Sequence, residues 1–397
     1  MPRRFRRLTT ALAVAGLAAL ALGGQLVVNQ SVATVGRNAG LHWTVFTAGY
    51  DFWPIWRDDH FFTSGQGDAH WYGAGISNAW PPPHEVLLAP FSFLSYDGAH
   101  LASALLTAAL MVLVVLGWSR EPEQRHRAGQ SGVAWPILMS APVFAVVWID
   151  QLQAALGLAA LSLAIWAQRR QLWWLVGIAA AVGLIRPLNA IPVLCILLLG
   201  GWGKPRQLGI AAGAGAVFMA PLLLISYLWD RNFVSDYIAG ITAYPFNGTP
   251  KAVVHSIGPW GLGVLMVIGC AAALWLVRKD VGKPLDAGRA GLVLSLTVPL
   301  APLGGLYPAI FALPALIRLG QRQRFRAVPL IASVGPWLVI LLLSPWLLGS
   351  NPGLVLNFLS FIGYALVLLA YPLLRIPPGD DVARDERDPA DDQVSVA

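Results

Sequence analysis

Apolar residues do not alternate along this chain, nor do they form the narrow stripe of a surface helix; they come in long runs parted by short polar stretches. The runs lie near 8–28, 98–118, 133–149, 151–167, 172–186, 190–202, 207–228, 259–277, 289–305, 307–319, 327–348 and 353–374. About 20 apolar residues in a helix cross the roughly 30 Å hydrocarbon core of a bilayer. The pattern therefore predicts an all-α polytopic membrane protein with about twelve transmembrane helices. The first 30 residues have the charged start and apolar stretch of a signal peptide, yet no convincing cleavage site follows, so Leu8 to Val28 reads as a retained first helix. The segment His84 to Ser95 is too short to span comfortably and reads as re-entrant or as a short tilted helix.

Several runs are short and meet at polar breaks: Asp150-Gln151, Arg186-Pro187-Leu188-Asn189 and Leu306-Tyr307-Pro308. Broken helices at membrane depth line cavities, because their unpaired backbone groups cannot face lipid. Two long polar loops complete the layout. Residues 29–83 carry Asp51, Trp53, Trp56, His60, His70 and Tyr72, and residues 229–258 carry Asp230, Arg231, Asp236, Tyr237, Tyr244 and Lys251. Long loops of this kind usually carry function.

Charge orients these elements. Of the 27 Lys and Arg residues, 2 fall in the last 21 positions and 20 fall in short loops on one side of the alternating spans, among them Arg3, Arg4, Arg169, Arg170, Lys204, Arg278, Arg318 and Arg375. By the positive-inside rule that side is the cytoplasm, with both termini on it. Arg37, Arg57, Arg186, Arg231 and Lys251 then lie outside with Asp51, Asp58, Asp59, Asp68, Asp150, Asp230 and Asp236. A polar site on the outer face follows. Residues 1–376 read as one transmembrane unit, and 377–397, with seven acids against two arginines, as a disordered acidic cytoplasmic tail.

Composition narrows the class. With 56% hydrophobic and 12% charged residues, against about a quarter charged in soluble domains, the chain is not an ordinary soluble protein. Its net charge of +7 is dispersed among loops and forms no patch for nucleic acid. Cys195 and Cys270 both fall in apolar runs, which leaves neither a disulfide framework nor a metal cluster and reads as packing.

The candidate chemistry sits at the outer breaks. Asp51 is embedded in Tyr50-Asp51-Phe52-Trp53-Pro54-Ile55-Trp56, where rings can desolvate the carboxylate and raise its proton affinity, as a general base requires. An interfacial aromatic belt holding an incidental acid predicts the same pattern. Arg186 is a nearly isolated outer cation, suited to clamp a phosphate through two hydrogen bonds or to pair with Asp150 or Asp236. Asp150, Gln151 and Gln153 open a helix on the same face, where they can bind a sugar or headgroup, or where Asp150 can simply cap the helix. Asp58-Asp59-His60 has the donors for a divalent cation, but adjacent acids point apart on most backbones. No phosphate loop and no dinucleotide fingerprint is present, so no cofactor is called for.

With these residues in place, the chain resembles glycosyltransferase family 87. The acid after the first helix in an Asp-Phe-x-x-x-Trp context, the stretch ending in Tyr72, and Trp80-Pro81-Pro82-Pro83 leading to Leu87-Leu88-Ala89-Pro90-Phe91 look like the opening of that family. Asp150-Gln151-Leu152-Gln153 stands where the family tends to have Gly-Gln-x-Asn, and Arg186-Pro187 where it tends to have Lys-Pro. The resemblance implies a GT-C-type bundle and an enzyme that takes a sugar, mannosyl first and arabinofuranosyl next, from a polyprenyl-phosphate donor. It implies Asp51 as catalytic base. It departs near the end, where the family often has histidine and this chain has Leu306-Tyr307-Pro308. If that histidine assists catalysis in the family, either Tyr307 substitutes for it or the mechanism differs.

The expected function is an inverting glycosyltransferase of the plasma membrane, working on its outer face on a lipid-linked or glycan acceptor. Arg186 would bind the donor phosphate. Asp150, Gln151, Gln153, Trp53, Trp56, Tyr72, Asn189 and Tyr307 would bind substrate, with membrane lipid and no nucleic acid as surroundings. Two rivals remain: a transporter or flippase of a lipid-linked sugar, which would more often show two matched halves, and an inactive homologue that scaffolds envelope synthesis.

Overall fold

A computed structural model describes residues 9, 11–23, 56, 81–119, 133–243, 248–258, 260–283, 285–300, 306–344 and 352–375. Among them every regular element is helical. In chain order these are α1 (Ala11–Gly23), α2 (Pro82–Leu88), α3 (Tyr96–Ser119), α4 (Ala134–Leu138), α5 (Ala141–Trp148), α6 (Leu152–Arg169), α7 (Trp173–Gly183) and α8 (Pro187–Gly200). They continue as α9 (Pro205–Trp229), α10 (Phe233–Ala243), α11 (Gly248–Ile257), α12 (Trp260–Val277), α13 (Ala287–Leu296), α14 (Leu313–Gly320), α15 (Val328–Leu342) and α16 (Pro352–Leu369).

Four described helical stretches are long and apolar enough to cross a membrane: Tyr96–Ser119, Pro205–Trp229, Trp260–Val277 and Asn357–Leu374. Six shorter apolar helices accompany them, including Ala11–Gly23, Trp173–Gly183 and Pro187–Gly200. The protein is an all-α membrane protein. The segment expected to fall short of a span does so: α2 is followed by a single 3-10 stretch, Ala89–Phe93, before α3 begins.

Proline sets many of the helix starts. It occupies at least one of the first two positions of α2, α5, α8, α9, α14 and α15, where its missing N–H costs nothing and its fixed φ suits the helix. Pro187 also keeps the preceding residue out of the helical region. Arg186 accordingly takes φ −123° and ψ 79° as the N-cap of α8.

Helix α6 lies at the centre, touching α3, α5, α7, α8 and the 3-10 stretch Tyr307–Ala312. Helix α9 covers the far side of α7, and α12 bridges α8 and α13. Close approach depends on glycine at two contacts. A side chain at Gly177 of α7 would collide with the carbonyl oxygen of Ala211 on α9, and one at Gly291 of α13 would start 2.9 Å from the backbone nitrogen of Ala315 on α14. On the α8–α12 seam Gly269 faces Pro192, and the thiols of Cys195 and Cys270, expected to be packing residues, meet with their sulfurs 3.6 Å apart.

Candidate functional site

The three sequence breaks come together in space, each for a local reason. Helix α5 closes with the amide of Gln151 bonded to the carbonyl of Val146 at 2.9 Å, a Schellman-type ending that needs a left-handed residue between them. Asp150 supplies it at φ 55°, a region where Asp is tolerated better than most side chains. The carboxylate does not cap α6, contrary to the simpler expectation for it. The N-cap of α6 is Gln151, with no side-chain bond, and Asp150 instead turns toward α3, where its Oδ1 accepts from Ser103 Oγ at 2.8 Å and Thr107 Oγ1 at 3.1 Å.

Arg186 enters from the α7–α8 break. Its Nη2 donates to Gln151 Oε1 at 3.0 Å, and its Cζ lies 5.2 Å from the centre of the Tyr307 ring, within range of a cation–π interaction. Its methylene stem rests against Gly157, where a Cβ would stand 3.7 Å from Cγ and Cδ. Gln153 lies one turn before Gly157 on the same face of α6. Both atoms of its amide are buried without a hydrogen-bond partner. Asn189, in the first turn of α8, donates from Nδ2 to both the carbonyl and the hydroxyl of Thr297 at 3.0 Å, tying α8 to the end of α13. Its Oδ1 is left as a buried acceptor.

Asp150, Gln151, Gln153, Arg186, Asn189 and Tyr307 are each at most 4% exposed. In an ordinary structure buried polar groups are satisfied, and each exception calls for an explanation. Trp56 lies one layer out. Its indole donates to the carbonyl of Leu94 at 3.1 Å and meets Tyr96 edge-on at 5.3 Å, and Tyr96 in turn stacks on His100. Asp51, Trp53 and Tyr72, like Asp58, Asp59 and His60, lie outside the described residues.

The structure adds residues that sequence reasoning passed over. His84 and Glu85 on α2 are buried. His84 Nε2–H donates to the carbonyl of Ala181 at 3.0 Å, so its Nδ1 is an acceptor, buried and without a partner. Burial holds this imidazole below its ordinary range, hence neutral. Tyr237 of α10 has its phenol pushed up by burial and then by the charge of Glu85, which places the second polar loop against α2. His100, Ser103 and Thr107 are buried along one face of α3. Their spacing of three and four residues inside an apolar run was the available signal.

Chemically, the cluster offers a buried guanidinium with planar donors, an open amide, and hydroxyl and carboxylate groups. That set suits an oxygen-rich anion with a polyhydroxyl substituent. Residues 79–303 match the family model described as Glycosyltransferase family 87, a stretch that contains Asp150, Gln151, Gln153, Arg186 and Asn189. No curated protein and no solved structure matches the chain.

Proposed function

Because the chain belongs to glycosyltransferase family 87, we propose that it moves a sugar, mannosyl in preference to arabinofuranosyl, from a polyprenyl-phosphate donor to a lipid-linked or glycan acceptor at the outer face of the plasma membrane. The observation that carries this reading is Arg186, buried at a break between helices beside Gln151 and Tyr307. A buried cation in an apolar protein is costly unless it serves a purpose. A leaving phosphate is such a purpose.

In this reading about twelve helices span the membrane, both termini are cytoplasmic, and the breaks at Asp150, Arg186 and Tyr307 face outward. In support, the helices that start at these breaks run toward basic residues: α6 ends at Arg169, α8 ends just before Lys204, and α14 carries Arg318. Asp51 removes the proton from an acceptor hydroxyl, and the oxygen attacks the anomeric carbon as polyprenyl phosphate departs. One displacement inverts the centre and needs one base. Arg186, oriented by the Tyr307 ring, stabilises the charge that develops on the leaving phosphate. Gln153, Asn189 and the hydroxyl-bonded Asp150 hold the sugar, with Trp53, Trp56 and Tyr72 stacking on it from the outer loop.

The test is sugar transfer by purified protein in nanodiscs supplied with radiolabelled polyprenyl-phosphate mannose or arabinofuranose and a membrane glycolipid extract. Wild type forms product. Asp51→Asn abolishes it, and Arg186→Lys, which keeps the charge but loses the planar fork, lowers kcat by about 10²-fold. Equal product from wild type and Asp51→Asn removes Asp51 from the mechanism. A wild type that moves labelled donor across sealed vesicles without forming product is a transporter instead.

A further inference from the structure

Below the polar cluster, α3, α6 and α7 leave a groove of about 470 Å³ between them, lined by Leu110, Leu113, Gly117, Leu163, Trp166 and Val182 among others. It opens sideways, since Leu113 and Trp166 are exposed. Along α6 it runs from Leu156 to Trp166, a helical rise of about 15 Å. That is half of a hydrocarbon core of roughly 30 Å, the depth of one leaflet. Its few polar groups are matched internally: Trp118 Nε1 donates to Ser162 Oγ at 3.0 Å.

The two ends differ. Toward the Arg186 cluster the groove is stopped by the buried trio Leu88, Leu152 and Ile185, against which Leu110 and Leu156 pack. A lipid chain whose phosphate sits at Arg186 therefore does not enter here. At the other end the lining stripe of α6 continues one turn to Arg170, whose guanidinium carbon lies 5.1 Å above the Trp166 ring. Arg169 beside it sits in the positive field of Arg318 and Arg170, with Asp286 as counter-charge.

We propose that this groove is a lipid site separate from the sugar-transfer site, taking one acyl chain of an anionic phospholipid whose phosphate is held at Arg170 and Arg169. On the orientation given above, the lipid belongs to the cytoplasmic leaflet, where anionic headgroups attract basic residues at helix ends. Its chain fills the space between α3 and α7 and so supports the outer wall of α6, the helix that opens with Gln151 and Gln153.

The experiment is native mass spectrometry of the full chain released from micelles containing equal phosphatidylglycerol and phosphatidylcholine. Wild type is expected to keep one phosphatidylglycerol in preference to phosphatidylcholine. Gly117→Phe, at a position where an added Cβ meets nothing within 4 Å, fills the groove and lowers retention by about tenfold. Arg170→Gln, on the exposed surface, keeps a lipid but loses the preference for the anionic one, and it decides the matter alone should Gly117→Phe fail to fold. Equal retention of both lipids by wild type, undiminished retention in a folded Gly117→Phe, or an undiminished preference for the anionic lipid in Arg170→Gln overturns the proposal. Displacement of the phospholipid by equimolar polyprenyl phosphate also overturns it, by assigning the groove to a substrate chain.

Discussion

Replacing Asp150 separates two things that its position combines: a left-handed backbone at φ 55° and a buried acceptor for Ser103 and Thr107. Asparagine keeps both, since it tolerates that backbone and retains an acceptor oxygen, so Asp150→Asn should lower stability by less than about 1 kcal/mol. Glycine keeps only the backbone. Each buried hydroxyl left without an acceptor costs about 1–3 kcal/mol, but Ser and Thr in a helix can turn back to the carbonyl four residues earlier. Asp150→Gly should therefore lose about 2–3 kcal/mol. Alanine loses the acceptor and strains the backbone by a further 1–2 kcal/mol or so, bringing Asp150→Ala to about 3–5 kcal/mol. The assay is equilibrium unfolding of the purified variants in mixed micelles by SDS titration, followed by intrinsic fluorescence. An alanine variant no weaker than the glycine variant would refute the backbone argument. An asparagine variant as weak as glycine would show that Asp150 acts through its charge and not through these two bonds.

Other consequences follow from particular contacts. Gly177→Ala should destabilise the chain by about 1–3 kcal/mol through overpacking of α7 on α9, read as a lowered midpoint in the same titration, while the equally helical substitution Gly213→Ala, at a position with nothing within 4 Å, should not. Asn189→Leu removes both bonds to Thr297 and should cost about 2 kcal/mol; an unchanged midpoint would mean that α8 and α13 are held by apolar contact alone. Asp230 has its carboxyl raised above the ordinary 3.8 by burial and then by the charge of Asp236. The folded state therefore holds that proton more tightly than the unfolded one, and stability falls as pH rises through the window between the ordinary and raised values. Asp230→Asn, which keeps an acceptor for the Asn232 amide, should melt higher than wild type at pH 7 and no higher below pH 3.8.

The helical, apolar character of the chain is legible in the sequence because hydrocarbon is an unforgiving solvent, in which a backbone must satisfy its own polar groups. Asp150, Arg186 and Tyr307 stood out because a polar break between apolar runs needs something to satisfy it. Their mutual contacts were not legible. Helical periodicity says which face a residue occupies, but not that α6 would lie between α3 and α8, and so not that Asp150 would meet Ser103 and Thr107 instead of capping its own helix. His84 and Glu85 were hidden for a different reason. They follow three prolines in a segment too short to span, and it is the packing of α2 against α7, α9 and α10 that buries them. Cys195 and Cys270, 75 residues apart, met for the same reason. A single residue carries no sign of its partner.

The bond between Asn189 and Thr297 joins positions 108 residues apart, and this separation has a meaning for biosynthesis. At about 5–20 residues per second, the ribosome needs roughly 5–20 s to deliver Thr297 after Asn189 has been made. Throughout that interval an amide destined for a dry interior has no permanent donor or acceptor. The growing chain must leave this side chain in water, or in the insertion machinery, until the later helices arrive. Closure of the polar cluster is thus a late event in assembly, and a chain truncated before α13 should be handed to quality control with its site exposed.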